Sequence, residues 1–376
     1  MNNKKIFLVT NIPTPYRIPL FNELHRQLEQ LGIKLKIIFG ARGYSRRKWK
    51  IDLSQRLFDY QILSSGKIIF FDNEKTIFTY RGLLRAINRE NPAVIITSGF
   101  SIATTILWLR SFFKKTNYII WSGAIERKDK PDSLVRKIQR RLLVKKAAGF
   151  IAYGTMAKHH LISLGAPPEK IYIAINTVDT EFFLNKIAEN KYRDQNRKKT
   201  LLYIGHFVKR KRVDLLLYMA KLLLKTRNDF VLRLVGDGPE KEKLKHLADE
   251  LNISEYVSFE GFKQKKEIIE YLRVADCFLF PTSFDIWGLV LVEAMAAGVP
   301  CIASIYAGAT HDLIRDGING IAANFTQREK IVEKIDWLLD NPERAKIIGK
   351  NASNFIGEKV NLKRSAAGFL DAVMRI

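Results

Sequence analysis

The sequence predicts an α/β protein made of two doubly wound parallel-sheet domains that face each other across a cleft. Three observations predict this. Short apolar runs alternate with segments of helical periodicity along the whole chain, the rhythm of parallel sheets wrapped by helices. The chain has 376 residues, more than one ordinary core organises. A polar, charged stretch interrupts the alternation near the middle.

In the first half the candidate strands are Ile6–Thr10, Leu35–Phe39, Ala93–Ser98, Asn117–Trp121, Phe150–Tyr153 and Ile171–Ile175. In the second they are Thr200–Ile204, Phe230–Val235, Val257–Glu260, Cys277–Phe280, Cys301–Ser304 and Gly320–Ala323. Periodic segments such as Val213–Leu224 and Ile331–Leu339 lie between them as helices. Asn185–Lys199, mostly polar and charged, reads as the interdomain connection. Domains are therefore expected over 1–180 and 198–354, with a terminal helix of about 355–376 packing back on the first. Ligands of such sheets lie at the carboxyl ends of the strands.

Composition narrows the class. Hydrophobic residues make up 47% of the chain, and no segment approaches the roughly 18 uninterrupted apolar residues of a spanning helix. The opening MNNKKIFLVTNIP has too short an apolar run for a signal peptide, so a cytoplasmic location is expected. Two cysteines, Cys277 and Cys301, sit in apolar runs and read as buried thiols, too few for a disulfide framework or a metal site. The charge of +25 is uneven: residues 1–178 hold 31 Lys and Arg against 11 acids, residues 179–376 hold 32 against 27. A polyanionic partner is expected at the first half.

Residues 280–304, FPTSFDIWGLVLVEAMAAGVPCIAS, read as strand end, turn, helix and strand. The helix is expected to open at Ile286-Trp287-Gly288, with Asp285 before it and Glu293 on its second turn. Free amides and the dipole at such a start bind anions, phosphate above all. An N-capping Asp and a solvated Glu would give the same spacing. Gly205-His-Phe-Val-Lys-Arg-Lys-Arg212 follows the strand Thr200–Ile204. Gly205 permits close backbone approach to a ligand, and the four cations from Lys209 suit a diphosphate, although a solvated basic turn reads the same way. Val235-Gly236-Asp-Gly238-Pro239 makes a tight turn without a dinucleotide fingerprint.

Together these segments resemble the nucleotide-sugar domain of the family 4 retaining glycosyltransferases, which have the GT-B fold. That family carries an acid-x(7)-acid motif before Ala-Met-Ala-Ala-Gly-Val-Pro, and this chain has Pro281-Thr-Ser, Asp285, Gly288 and Glu293-Ala-Met-Ala-Ala-Gly-Val-Pro300. Three positions depart from the usual pattern: Asp285 for Glu, His206 for Arg and Arg212 for Gly. The resemblance implies that Lys211 and His206 stabilise the leaving nucleoside diphosphate and that Asp285 contacts hydroxyls of the donor sugar. It gives Glu293 the ribose, Phe262 the base, and the amides of Ile286, Trp287, Gly288 and Leu289 the phosphate and sugar oxygens, with Gly205 and Gly236 at the donor. It implies no metal and no cofactor besides the nucleotide-sugar substrate, and a glycan or lipid-linked acceptor in the building of bacterial surface polysaccharide such as capsule or lipopolysaccharide. UDP is the commoner donor nucleotide, ahead of GDP.

The loop Asn11–Phe21, with Pro13, Pro15 and Pro19, looks like the opening loop of the family's acceptor domain, where Tyr16 and Arg17 project towards the cleft and Ser122 closes a neighbouring strand. Ser133–Lys146 reads as a helix with a Val135, Ile138, Leu142 stripe among six cations. It either lies on an anionic membrane surface, which puts the protein on the inner face of the cell membrane, or packs its stripe on the sheet. Arg42–Lys50 adds a basic and aromatic loop. Nucleic-acid binding is the rival explanation of the charge, although the most specific motifs lie in the near-neutral half. Epimerases and sugar phosphorylases share the architecture, but no segment marks the pyridoxal phosphate lysine of the latter.

Overall fold

The structure, a computed structural model, describes residues 4–43, 51–64, 67–69, 76–127, 131–188 and 197–376. Tyr44–Lys50 of the basic loop and residues 189–196 of the expected connection lie outside them. The chain divides into two compact units, Met1–Val178 with Leu362–Ile376, and Asp179–Asn361.

The first unit holds seven parallel strands: β1 (Lys5–Thr10), β2 (Lys34–Phe39), β3 (Asp59–Ile62), β6 (Val94–Ser98), β7 (Tyr118–Ser122), β8 (Gly149–Ala152) and β9 (Ile171–Ile173). Their order across the sheet is β3-β2-β1-β6-β7-β8-β9. A separate antiparallel pair is formed by β4 (Lys67–Ile69) and β5 (Thr76–Phe78). Central strands covered on both faces must be apolar throughout, and β7 and β8 are buried at every residue. Strand β3 escapes the sequence pattern because it pairs on one side only, and its Asp-Tyr-Gln-Ile needs no apolar run. The helix Ile18–Glu29 begins with Pro19 in its first turn, where a missing amide hydrogen costs nothing. The terminal helix Leu362–Met374 packs on it and on β8 and β9, bringing Phe369 edge-on to Trp121 at 5.0 Å.

The second unit holds β10 (Lys199–Ile204), β11 (Phe230–Val235), β12 (Val257–Gly261), β13 (Cys277–Phe280), β14 (Cys301–Ser304) and β15 (Ile321–Ala323). All are parallel, in the order β12-β11-β10-β13-β14-β15. This is the doubly wound order, and its direction reverses between β10 and β13, where such sheets open a ligand crevice. The loops carrying Lys211 and Asp285 leave those two strands. Helices Val213–Leu223 and Arg328–Asp340 pack together, and Leu289–Ala296 packs against Pro342–Lys359 and Thr180–Ala188. The last of these begins inside the unit and runs into the stretch expected to be a connection. Cys277 and Cys301 are buried free thiols, and burial pushes both well above the ordinary thiol value. Among the described residues no helix is long and apolar enough to cross a membrane.

Phe369 has none of its surface exposed. Phe369→Ala should lower the stability of the first unit by about 3–5 kcal/mol, as for buried aromatic truncations generally. Urea unfolding should then show that unit's transition moving while the second unit's stays.

Candidate functional site

At the carboxyl edge of the second sheet, backbone crowding sets the loop shapes. Gly236 has φ 150°, and a Cβ there would sit 1.8 Å from the Gly205 carbonyl oxygen. No other residue lets the turns after β10 and β11 meet this closely. The Gly205 amide donates to Val235 O at 2.9 Å, and the Gly236 amide to Gly261 O at 2.9 Å. Three loops are thereby tied edge to edge, and Phe262, next in the chain, is partly exposed beside them.

Lys211 closes a short turn, Lys209–Lys211, after β10. Its side chain is buried, and its ammonium donates to Asp285 Oδ2 and lies 4.8 Å from the Phe280 ring centroid. Arg210 approaches the same carboxylate at 3.9 Å and donates to Phe284 O at 3.2 Å. Burial alone would raise the Asp285 pKa. The direct Lys211 pair, together with Arg210 and the Trp287 amide, outweighs it and holds the carboxyl below its ordinary value. Asp285 is thus a carboxylate at neutral pH. Its backbone is held by Tyr306 O and the Gly308 amide, at 3.3 and 2.9 Å.

The helix on this loop starts later than its sequence suggests. It spans Leu289–Ala296, and its cap residue is Gly288, not Asp285. Gly288 has φ 113°, and a Cβ there would lie 2.7 Å from the Phe280 ring. Asp285 therefore does not cap the helix, and Ile286 and Trp287 belong to the turn before it. Asp285 Oδ1 accepts from the Trp287 amide at 3.4 Å. The amides of Gly288 and Leu289 stand at the helix start, where the dipole favours an anion.

Glu293 lies one turn into that helix. Desolvation pushes its carboxyl up to about 7, only partly opposed by Lys265. Lys265 is held by Asp179 at 3.2 Å and by the Phe182 ring at 4.2 Å. Lys265 was assigned no role from sequence, and Arg210 only a share in the basic run set against a diphosphate. Arg210 stood in the quoted basic run, and only the folded loop separates it from Lys209. His206 is exposed, with Nδ1 2.5 Å from Asp237 O. A carbonyl oxygen only accepts, so Nδ1 carries the hydrogen and Nε2 is the proton-accepting nitrogen of the neutral ring. Arg212, at the position where the related motif has Gly, adopts φ 50° and ψ 41°, the left-handed conformation glycine favours. Its guanidinium grips Asp214 at 3.0 and 2.9 Å.

In the first unit, Arg17 turns inward. Its guanidinium lies 4.3 Å from the Trp121 ring centroid, donates to Thr10 Oγ1 at 3.2 Å and bonds the Tyr153 hydroxyl. These contacts clamp β1, β7 and the end of β8, a holding role. Tyr16 lies 5.7 Å from the same guanidinium. Ser122 is buried, with its hydroxyl accepting from the Ala124 amide at 3.1 Å.

Residues 185–355 match the family described as Glycosyl transferases group 1. The second unit thus matches the group 1 glycosyltransferases. Among curated relatives, an uncharacterized glycosyltransferase of Haemophilus influenzae is 31% identical over 171 residues, 46% of this chain and 46% of its own length. An uncharacterized 41.2 kDa protein in the cps region of Klebsiella pneumoniae is 31% identical over 199 residues, 52% of this chain and 53% of its own. The chain thus spans about half the length of these relatives. A crystal structure of Anabaena HepE in complex with UDP superposes with a TM-score of 0.77 at 16% identity, covering 99% of this chain and 100% of that one. The two-sheet fold is that of GT-B glycosyltransferases.

The raised Glu293 carboxyl makes a pH prediction. A carboxyl whose folded pKa exceeds its unfolded value of 4.5 contributes stability fully present below that value and lost as pH rises through about 7. Glu293→Gln removes that loss. Thermal melts should show the variant matching the wild type near pH 4.5 and exceeding it above pH 7 by on the order of 3 kcal/mol.

Proposed function

We propose that the protein is a retaining glycosyltransferase that moves a sugar from a nucleoside diphosphate, UDP in preference to GDP, to a glycan or lipid-linked acceptor in bacterial surface-polysaccharide synthesis. The observation that carries this reading is the buried Lys211 ammonium paired with Asp285 beside the start of the helix Leu289–Ala296, at the strand-order reversal of the second sheet. The match to group 1 glycosyltransferases, HepE's complex with UDP and the cps-region relative support its parts.

The diphosphate is the part of the donor that gains negative charge as the glycosidic bond breaks. Fixed donors aimed at such charge lower the barrier most, because they need no reorganisation during the reaction. Lys211, Arg210 and the amides of Gly288 and Leu289 are the groups that take it up, with His206 contributing when protonated. Asp285, ionised and fixed by its neighbours, accepts from donor-sugar hydroxyls. Glu293 accepts from the ribose, and Phe262 borders the base. These groups supply the neutralisation that a metal supplies in other transferases. Tyr16 and Ser122 form the acceptor side of the reading, with Arg17 holding the loop that carries Tyr16. A lipid-linked acceptor goes with work at the inner face of the cell membrane.

A thermal-shift panel with UDP, GDP, ADP and CMP tests the site. A ligand at a hundred times its Kd adds about 2.7 kcal/mol, which moves the second unit's melting by about 5 °C or more. UDP should give the largest shift. Lys211→Ala and Glu293→Ala should lose it, together with sugar transfer, while remaining folded by circular dichroism. Wild-type shifts in both variants would overturn the assignment.

A further inference from the structure

The helix Leu134–Lys146 turns its apolar stripe outward. Leu134, Val135, Ile138 and Leu142 are 73%, 78%, 48% and 44% exposed, whereas the helix buries Leu143 and Val144 on its other side. Leu134, Ile138 and Leu142 recur every four residues and so share one face. An amphipathic helix of a soluble domain does the reverse, seating its stripe on the core. The alternative that the stripe packs on the sheet is therefore excluded.

The neighbouring helix Ile102–Arg110 and the turn after it lie beside Leu134–Lys146. Gln139 Nε2 lies 3.3 Å from Thr105 Oγ1, and the Lys146 ammonium 4.8 Å from the Phe112 ring centroid, which sets the two helices side by side. Leu109, Phe112 and Phe113, at 50%, 55% and 87% exposure, extend the apolar area. The charges around it are mostly positive, Asp132 being the acid in direct contact. The helix Leu134–Lys146 carries six cations and no acid. Arg136 and Arg140 pair with Asp132, but Lys137, Arg141 and Lys145 have no ion pair among the described residues. Arg141 and Lys145 also line a cavity of about 420 Å³ walled by Val144, Ile162 and Leu164.

We propose that this face docks the protein on an anionic lipid bilayer. The leucines, Val135, Ile138 and the two phenylalanines enter the headgroup region, and the lysines and Arg141 meet lipid phosphates, with room for one headgroup in the cavity. A large apolar patch rimmed by charge marks an interaction surface, and the combination of inserted apolar side chains and flanking cations fits the bilayer interface. Nucleic acid would leave the aliphatic stripe in water. A second copy would set cation against cation. The inference goes beyond the transferase reading and does not rest on it.

The test is flotation of the full chain with vesicles of neutral phosphatidylcholine alone or with 40% phosphatidylglycerol, an amount chosen to give strong negative surface potential. Recovery with anionic vesicles should exceed that with neutral ones at least about tenfold and fall as salt screens the surface. Val135→Glu with Ile138→Glu should abolish it at unchanged melting temperature. Phe113→Ser, on an exposed turn, repeats the test should the pair unfold. Equal recovery with both vesicles, or unchanged recovery of both folded variants, would overturn the proposal. So would a homopolymer RNA that competes with vesicles but binds the variants as it binds the wild type, or vesicle-independent self-association that the variants abolish. Because flotation reads no sugar transfer, its failure and that of the transferase reading are distinguishable.

Discussion

A lysine ammonium with 8% of its residue's surface exposed cannot stand without an anion, since an unpaired buried charge costs several kcal/mol. In this protein the anion is Asp285, and much of the second unit's ligand edge follows from that pair. It draws the loop after β10 against the loop after β13, strands that are neighbours in the sheet though far apart in the chain. Thr282 and Ser283 donate back to Arg210 O at 3.1 Å and complete the seam. In the proposed reading an incoming diphosphate meets a cation already in position, beside a carboxylate that stays ionised because the cation is there.

The three departures from the related family's pattern acquire a physical meaning in this setting. Aspartate is one methylene shorter than glutamate, yet with its loop held by Tyr306 and Gly308 the short side chain reaches Lys211. Arg212 adopts the left-handed backbone that explains why glycine is usual there, and its bidentate contact with Asp214 offsets part of the conformational cost. His206 gives up one nitrogen to Asp237 O and lacks the fixed charge and fork of donors that an arginine would bring.

The first unit divides its basic and aromatic residues between two uses. Arg17, framed by three prolines and flanked by Tyr16, has the look of a ligand-binding residue in the sequence, yet its guanidinium lies against Trp121 and joins loop to sheet. Other cations stay on the surface around an apolar stripe. Sequence pattern cannot distinguish these uses, because burial of an arginine depends on an acceptor such as Tyr153, far away along the chain.

What the sequence determined by itself is the layered fold. Twelve apolar runs match twelve strands, most of them central parallel strands that, covered on both faces, tolerate little else; Asp285 and Glu293 stand out by their spacing along a turn and a helix, and Lys211 by the family resemblance. Strand β3 was hidden because its pairing replaces apolar content at a sheet edge. The helix start at Leu289 was hidden because the Phe280 ring sets the Gly288 turn. Only the tertiary structure decided that Lys211 and Asp285 form a pair, that Glu293 sits where desolvation raises its carboxyl, and which way the stripe of Leu134–Lys146 faces. Each of these is a relation between residues distant in sequence, and local periodicity carries no record of it.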